Sequence, residues 1–158
     1  MAERAAQRRH FCEIIRDFAN AFLVTRRPDG SMHARPLAVA EVQRDGRTFF
    51  ATSIISPKVA EIFADDEVIV TFQSAAAFAC MSGKARIVQN PNLIERLWSE
   101  SWRTWFPSGR DDPSLCLIEI DPREVEFWDN SEREGLSLAI EQAKPIAGGL
   151  GSRSQAAG

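Results

Sequence analysis

The chain predicts an antiparallel, barrel-like sheet flanked by helices, of the mainly β (α+β) class and six- to seven-stranded, on three observations. Alternating and β-branched stretches succeed one another, joined mostly by hairpin-length turns such as Pro28-Asp29-Gly30 and Arg44-Asp45-Gly46. Helical periodicity is confined to three separate segments. No Gly-x-Gly-x-x-Gly follows a strand, so a doubly wound, dinucleotide-binding layout has no support. With 158 residues, 44% of them apolar and 26% charged, the chain has room for one domain with a real core.

The elements follow in order. Residues 3 to 19 read as a helix, because Phe11, Ile14, Ile15 and Phe18 repeat at i, i+3, i+4, i+7 and Asn20 breaks the pattern. Strands are expected from Phe22 to Arg26, from Ser31 to Val42 and, aromatic and β-branched, from Thr48 to Ser53. The period then switches: Val59, Ile62 and Phe63 mark one packed side of a short helix, with Ser56 as N-cap and Pro57 at its first position. Asp65-Asp66 turns the chain into strands at Val68 to Gln73 and Ala77 to Val88. Asn90-Pro91 starts a third helix, whose face is expected to carry Leu93, Ile94, Leu97, Trp98, Trp102 and Trp105. Two further strands are expected, Leu115 to Ile120 and Glu124 to Trp128, with Asp121-Pro122 turning between them. The pattern then fades, giving a domain over 1–130 and a C-terminal extension over 131–158 expected to be partly disordered.

Composition excludes several partners. The net charge of −3 argues against a nucleic-acid surface or an anionic membrane surface. Arg4, Arg8 and Arg9 read as a solvated helix face. No apolar run reaches membrane-spanning length, and no hydrophobic region follows the N-terminal charges as a signal peptide would require. Cys12, Cys80 and Cys116 sit far apart within apolar patterns, which reads as free thiols in a reducing cytoplasm. Two histidines and scattered cysteines offer no metal-ligand spacing.

The junction Ser56-Pro57-Lys58 is the chemically interesting stretch. A lysine in the first turn of a helix opposes the helix dipole. Free amides, a hydroxyl and an ammonium would there converge as an anion cradle; the alternative is a lysine that extends into water, and the junction alone leaves the two even. Thr52 and Ser53 place further hydroxyls just before it. Arg35 shares a strand face with Leu37 and Val39, so it is either a half-buried charge needing an anion or an edge-strand guard. Pro36 beside it removes a ladder donor and marks an edge or a kink. His33 is assigned no role. The three tryptophans read as core, dimer interface or the wall of an aromatic-ligand pocket. No Ser/His/Asp or Cys/His set is visible, so catalytic residues stay unassigned.

Five segments carry a resemblance. They are His33-Ala34-Arg35-Pro36-Leu37, Phe49-Phe50-Ala51-Thr52 through Ser56-Pro57-Lys58, Met81-Ser82-Gly83-Lys84-Ala85, Trp105-Phe106-Pro107-x-Gly109-x-x-Asp112-Pro113, and Glu126-Phe127-Trp128. In that order the chain resembles the pyridoxamine 5′-phosphate oxidase-related, FMN-binding split-barrel family, general stress protein subgroup, over roughly residues 10 to 130. The resemblance implies a homodimer of split β-barrels with flavin at the subunit interface. It implies that Arg35 and Lys58 hold the phosphate of FMN, or of FAD, which shares that phosphate, with Ser56 and Pro57 also cofactor-binding. Pro36 and Leu37 would edge the ring, Ala51, Thr52 and Ser53 would follow the ribityl chain, and Trp105 or Trp128 would close the ring from the other subunit. One departure bears on activity. The family's oxidase follows its Phe-Trp with Arg-Leu-His-Asp-Arg, whereas this chain continues Ser131-Glu132-Arg133-Glu134-Gly135. Pyridoxamine phosphate oxidation is therefore not expected.

Three functions remain in view: a cytoplasmic, dimeric flavoprotein of the stress type with oxidoreductase activity on an unspecified substrate; a non-catalytic flavin buffer or sensor; and a flavin-free module whose tryptophan face binds a protein partner.

Overall fold

The computed structural model describes residues 1–129 and 144–145. The elements are α1 (Ala2–Arg16), β1 (Asn20–Arg26), β2 (Met32–Val42), β3 (Thr48–Ser53), α2 (Pro57–Ala64), β4 (Glu67–Gln73), β5 (Ala77–Val88), α3 (Pro91–Leu97), β6 (Leu115–Asp129) and β7 (Lys144–Pro145). The strands pair antiparallel in the order β3-β2-β1-β4-β5-β6-β7, and β3 also pairs β6. That extra pairing closes six strands into a barrel flanked by three helices, the class that turn spacing and strand alternation predict. Apart from the Lys144–Pro145 strand, which adds to β6 at Glu126 and Phe127, the extension over 131–158 lies outside the described residues.

The ring is closed unevenly. β2 pairs β1 along Met32–Ala38, but it meets β3 only from Val39 onward, through a register shift between Val39 and Glu41. Below that point β3 leaves β2 and stays on β6, from Thr48↔Ile120 to Ser53↔Leu115. The barrel is therefore split between β2 and β3. Pro36 lies on the β2 edge facing the split, where a missing N–H costs no ladder bond.

Two apolar clusters hold the fold. The barrel interior contains Leu23, Phe50, Val70, Phe72, Met81, Ile118 and Ile120, and α1 closes one end with Phe11 and Ile15. Leu37 and Val39 pack against this interior, so the strand face they share with Arg35 is the inward one. A second cluster joins Phe49, Leu115 and Leu117 to Ile94, Trp102 and Phe106 outside the barrel.

Three expectations need correction. Leu115–Asp129 is one strand, not two. Asp121-Pro122 does not turn the chain, because a bulge at Ser82/Gly83 absorbs it, with Pro122 opposite Gly83. Gly83 admits this crossing: a Cβ there would lie 2.1 Å from the Asp121 carbonyl oxygen. Nor do the tryptophans share one helix. α3 stops at Trp98, whose ψ of 134° leaves the helical region, and Ser99 caps a 3₁₀ turn over Glu100–Thr104. Trp98 and Trp102 meet edge to face at 5.7 Å, and Trp105 points away, 69% exposed. Lastly, α2 buries Val59 and Ile62 as its period predicts, but Phe63 is exposed and Glu61 is buried instead.

Among the described residues, no helix is long and apolar enough to cross a membrane. No group of His, Cys, Asp or Glu among them could hold a metal ion. Cys12, Cys80 and Cys116 are free thiols, the first and last of them buried.

Candidate functional site

The split between β2 and β3 opens into a cleft of ≈ 460 Å³. The β2 edge supplies one wall through Pro36, Leu37 and Ala38, and β3 supplies the opposite one through Ala51, Thr52 and Ser53. Ser56 and Lys58, at the start of α2, close one end. Trp102, Trp105 and Phe106 stand over the rest. The size and the mostly apolar lining, with polar groups gathered at one end, suit a flat organic molecule bearing an anion.

The polar end centres on Lys58. Its ammonium donates to Thr52 Oγ1 at 3.0 Å and to Ser56 Oγ at 2.8 Å. Among the described residues no carboxylate pairs with it. Burial, and secondarily the positive charge of Arg35, push the Lys58 pKa down from its ordinary value. A half-buried ammonium held only by hydroxyls lacks the counter-charge such a group needs. Ser56 is the N-cap of α2 by position, with ψ of 142°, but its hydroxyl serves Lys58 instead of a helix amide. The expected N-cap position is therefore in place without a side-chain cap bond, and the first turn is closed instead by the Val59 N–H, which donates to Ser56 O at 3.0 Å.

Arg35 lies behind the cleft wall, not in it. Its side chain is 12% exposed, and its guanidinium meets Glu61 Oε2 at 2.6 Å, Thr25 Oγ1 at 2.7 Å, His33 Nδ1 at 2.7 Å and Leu23 O at 3.3 Å. The reason is the pleat: Arg35 points inward with Leu37 and Val39, while Pro36 and Ala38 point outward. The sequence reading that this arginine needs an anion agrees with the geometry, but the anion facing it is Glu61. Although burial opposes its ionisation, hydrogen bonds from Thr25 and Arg35 hold the Glu61 carboxyl below its usual range.

The structure thus gathers Pro36, Leu37, Ala51, Thr52, Ser53, Ser56, Lys58 and Trp105 around one cleft and adds Ala38, Trp102 and Phe106. Pro57, between Ser56 and Lys58 in sequence, is exposed and does not line the cleft. Trp128 stands elsewhere on the barrel, paired with Phe78, and its buried indole N–H has no hydrogen-bond partner among the described residues. Trp105 lines the cleft of its own chain, whereas the resemblance has it closing the ring from the other subunit. Sequence reasoning missed Glu61; the signal for it was the need of Arg35 for a carboxylate.

Comparison with known proteins agrees with this architecture. The family model described as "Pyridoxamine 5′-phosphate oxidase like" matches residues 6–150. General stress protein 26 of Bacillus subtilis (strain 168) is 33% identical over 64 residues, which span 40% of this chain and 45% of that protein. The general stress FMN/FAD-binding protein of Xanthomonas citri superposes with a TM-score of 0.68 at 28% identity, covering 82% of this chain and 91% of its own. A general stress family protein of Xanthomonas campestris pv. campestris superposes equally, with a TM-score of 0.68 at 29% identity over 82% and 91% of the two chains.

Proposed function

Because the chain belongs to the pyridoxamine 5′-phosphate oxidase like family, we propose that it is a cytoplasmic, dimeric flavin-binding protein of the general stress type, taking FMN, or FAD through the phosphate the two share. The observation that carries this reading is Lys58: a half-buried ammonium with hydroxyl partners and, among the described residues, no carboxylate, at the end of an otherwise apolar cleft. A flavin phosphate supplies the missing charge there, with the Thr52 and Ser56 hydroxyls as further donors. The β2 edge at Pro36 and Leu37 flanks the ring, and Trp105 offers it an aromatic face. FMN/FAD binding by the Xanthomonas citri relative supports the assignment.

The dimer follows from the outer face of the sheet. Phe22, 42% exposed, lies between Pro36 and Thr71, and Val24 lies between Ala34 and Ile69. Beyond them the face continues to Cys80, opposite Thr71. This apolar strip runs into the cleft wall at Pro36 and Ala38, so a second copy seated on it would also close the flavin site.

Bound flavin would supply redox chemistry, and we propose an oxidoreductase role without pyridoxamine phosphate as substrate, since Glu132 and Glu134 stand where the oxidase has its Arg-Leu-His-Asp-Arg grip. The deciding experiment is mass identification of the small molecule that acid releases from the purified protein, together with its absorbance near the flavin maxima. FMN or FAD is expected. A colourless protein that stays colourless after incubation with either flavin refutes the reading and favours the interaction module. Anaerobic bleaching by NADH or NADPH followed by reoxidation in air supports turnover; failure to bleach favours the buffer or sensor.

A further inference from the structure

A second cavity, of ≈ 400 Å³, lies on the outer face of β5 and β6 and shares no residue with the cleft. Its walls follow from strand alternation. Lys84 and Arg86 stand two apart on β5, and Glu119 and Asp121 two apart on β6, so each pair shares a face. Ala85, Ile118 and Ile120 between them fill the barrel interior, which leaves the charged set outside. The register sets Arg86 opposite Glu119 and Lys84 opposite Asp121, each cation facing a carboxylate.

Glu119 forms the floor, its side chain only 8% exposed. Its Oε2 accepts from Arg86 Nε at 2.9 Å and also from Arg86 Nη2, and its Oε1 faces Arg47 Nη1 at 3.6 Å. Lys84 Nζ lies 3.6 Å from Asp66 Oδ1. The ladder alone would therefore be a neutralised surface. The bulge upsets it. Ser82 pairs with Glu124 and Gly83 with Pro122, so Arg123 is the extra residue of β6. Regular alternation would turn one residue outward here, but the bulge exposes both Arg123 and Glu124.

Arg123 lines the cavity, yet no described residue, Glu124 included, gives it a hydrogen bond or an ion pair. Four cations then meet three carboxylates there, and the surplus charge is the bulge arginine. Arg86 Nη1 and Arg47 Nη2 likewise make no hydrogen bond to a described residue. Three guanidinium groups with open donors, two of them facing one buried carboxylate, suit an oxyanion better than water alone, because the planar fork matches phosphate and carboxylate geometry.

We propose that this cavity is a second ligand site, which takes the oxyanion group of a small phosphorylated or carboxylated molecule. Arg123 is its principal ligand, and Arg47 and Arg86, held by Glu119, flank it. The site stands apart from the cleft and does not rest on the flavin reading.

The test titrates inorganic phosphate and succinate by calorimetry into wild type, Lys58→Ala, Arg123→Gln and Arg9→Gln. Arg9 is exposed on α1, outside the cavity, and its variant makes the same change of net charge. At least one of the two anions is expected to saturate a single site in Lys58→Ala, where the cleft has lost its cation. Arg123→Gln is expected to weaken that binding roughly fivefold to thirtyfold, and Arg9→Gln to leave it unchanged. Phosphate alone would assign a phosphoryl ligand and succinate alone a carboxylate, and either result supports the site. No saturable binding of either anion overturns the proposal. So does binding that vanishes with Lys58 instead of Arg123, or an equal loss in Arg123→Gln and Arg9→Gln, which would mark a general effect of net charge.

Discussion

Replacing Lys58 with alanine removes the group on which the phosphate assignment depends. Its Nζ lies 3.0 Å from Thr52 Oγ1 and 2.8 Å from Ser56 Oγ, so a phosphate oxygen reaching that end meets a preorganised ammonium. Two unit charges about 4 Å apart at an effective dielectric constant near 20 attract by about 4 kcal/mol before desolvation is charged against them. Desolvation is already partly met in the apo protein, because the ammonium is half-buried before any ligand arrives. A net loss of about 2–4 kcal/mol follows, or roughly thirtyfold to a thousandfold in FMN affinity. Riboflavin, lacking the phosphate, is expected to bind wild type poorly and to ignore the substitution. Calorimetric or fluorescence titration of both ligands into both proteins checks this. Equal losses for the two would show that Lys58 serves the ring or the fold, and the phosphate assignment would be wrong.

The same residue fixes a pH dependence. Burial first and Arg35 second place the Lys58 pKa below the ordinary 10.5. The folded apo protein therefore disfavours the protonated form, and its stability rises as pH climbs from that lowered value towards 10.5. FMN affinity runs the other way: it is full where Lys58 is protonated and falls as pH rises through the lowered value. Lys58→Ala is expected to flatten both profiles. Its apo stability should stay within about 1 kcal/mol of wild type, since relief at the helix N-terminus opposes the partner lost by Thr52.

Trp102 and Trp105 should separate by role: Trp102→Ala empties the outer cluster and costs about 3–5 kcal/mol in denaturant melts, whereas Trp105→Ala leaves the melting curve in place and changes flavin fluorescence. Gly83→Ala sets a methyl group against the Asp121 carbonyl, 2.1 Å away, and is expected to cost at least about 2 kcal/mol because the neighbour is backbone; an unchanged melting temperature would refute the close crossing. The Glu61 carboxyl is held below its usual range, so its stabilisation is present above the ordinary 4.5 and disappears as pH falls through the lowered folded value. Acid unfolding of Glu61→Gln should lack that component, and the variant should already be about 2–5 kcal/mol less stable at neutral pH. Phe22→Glu puts a charge into the apolar strip and is expected to turn a dimer into a monomer in sedimentation at micromolar concentration, weakening flavin binding with it.

The sequence disclosed whatever rests on local pattern. Strand alternation and hairpin turns predict the barrel class, and the Ser-Pro-Lys junction points to Lys58, whereas most of the other cleft residues are named through the family resemblance. What stayed hidden depends on contacts between distant segments. Asp121-Pro122 looks like a turn until Gly83 lets another strand pass close enough to hold it in a bulge. The tryptophan spacing reads as one helix, and nothing local tells that Trp98 leaves the helical region and hands the chain to a 3₁₀ turn. On α2 the apolar residues Val59, Ile62 and Phe63 outvote Glu61 in any periodicity count. Arg35 reverses that vote, because a buried guanidinium needs a carboxylate more than a helix needs to hide Phe63.

Arg35 and Lys58 look equivalent in the sequence, each a cation beside a proline, yet the fold gives them opposite circumstances. The difference traces to the split between β2 and β3. Where β2 leaves β3, the outward-pointing residues Pro36 and Ala38 become the cleft wall, and the inward-pointing Arg35 is left facing the barrel end. There Glu61 provides its counter-charge. Lys58 starts α2 on the open side of the same split, where the described residues offer hydroxyls and no carboxylate. One cation is neutralised to stabilise the barrel and the other stays unneutralised at the cost of its own pKa. An unneutralised cation at the end of an apolar cleft is what a binding site for an anionic, flat ligand requires, and stability alone would not select it.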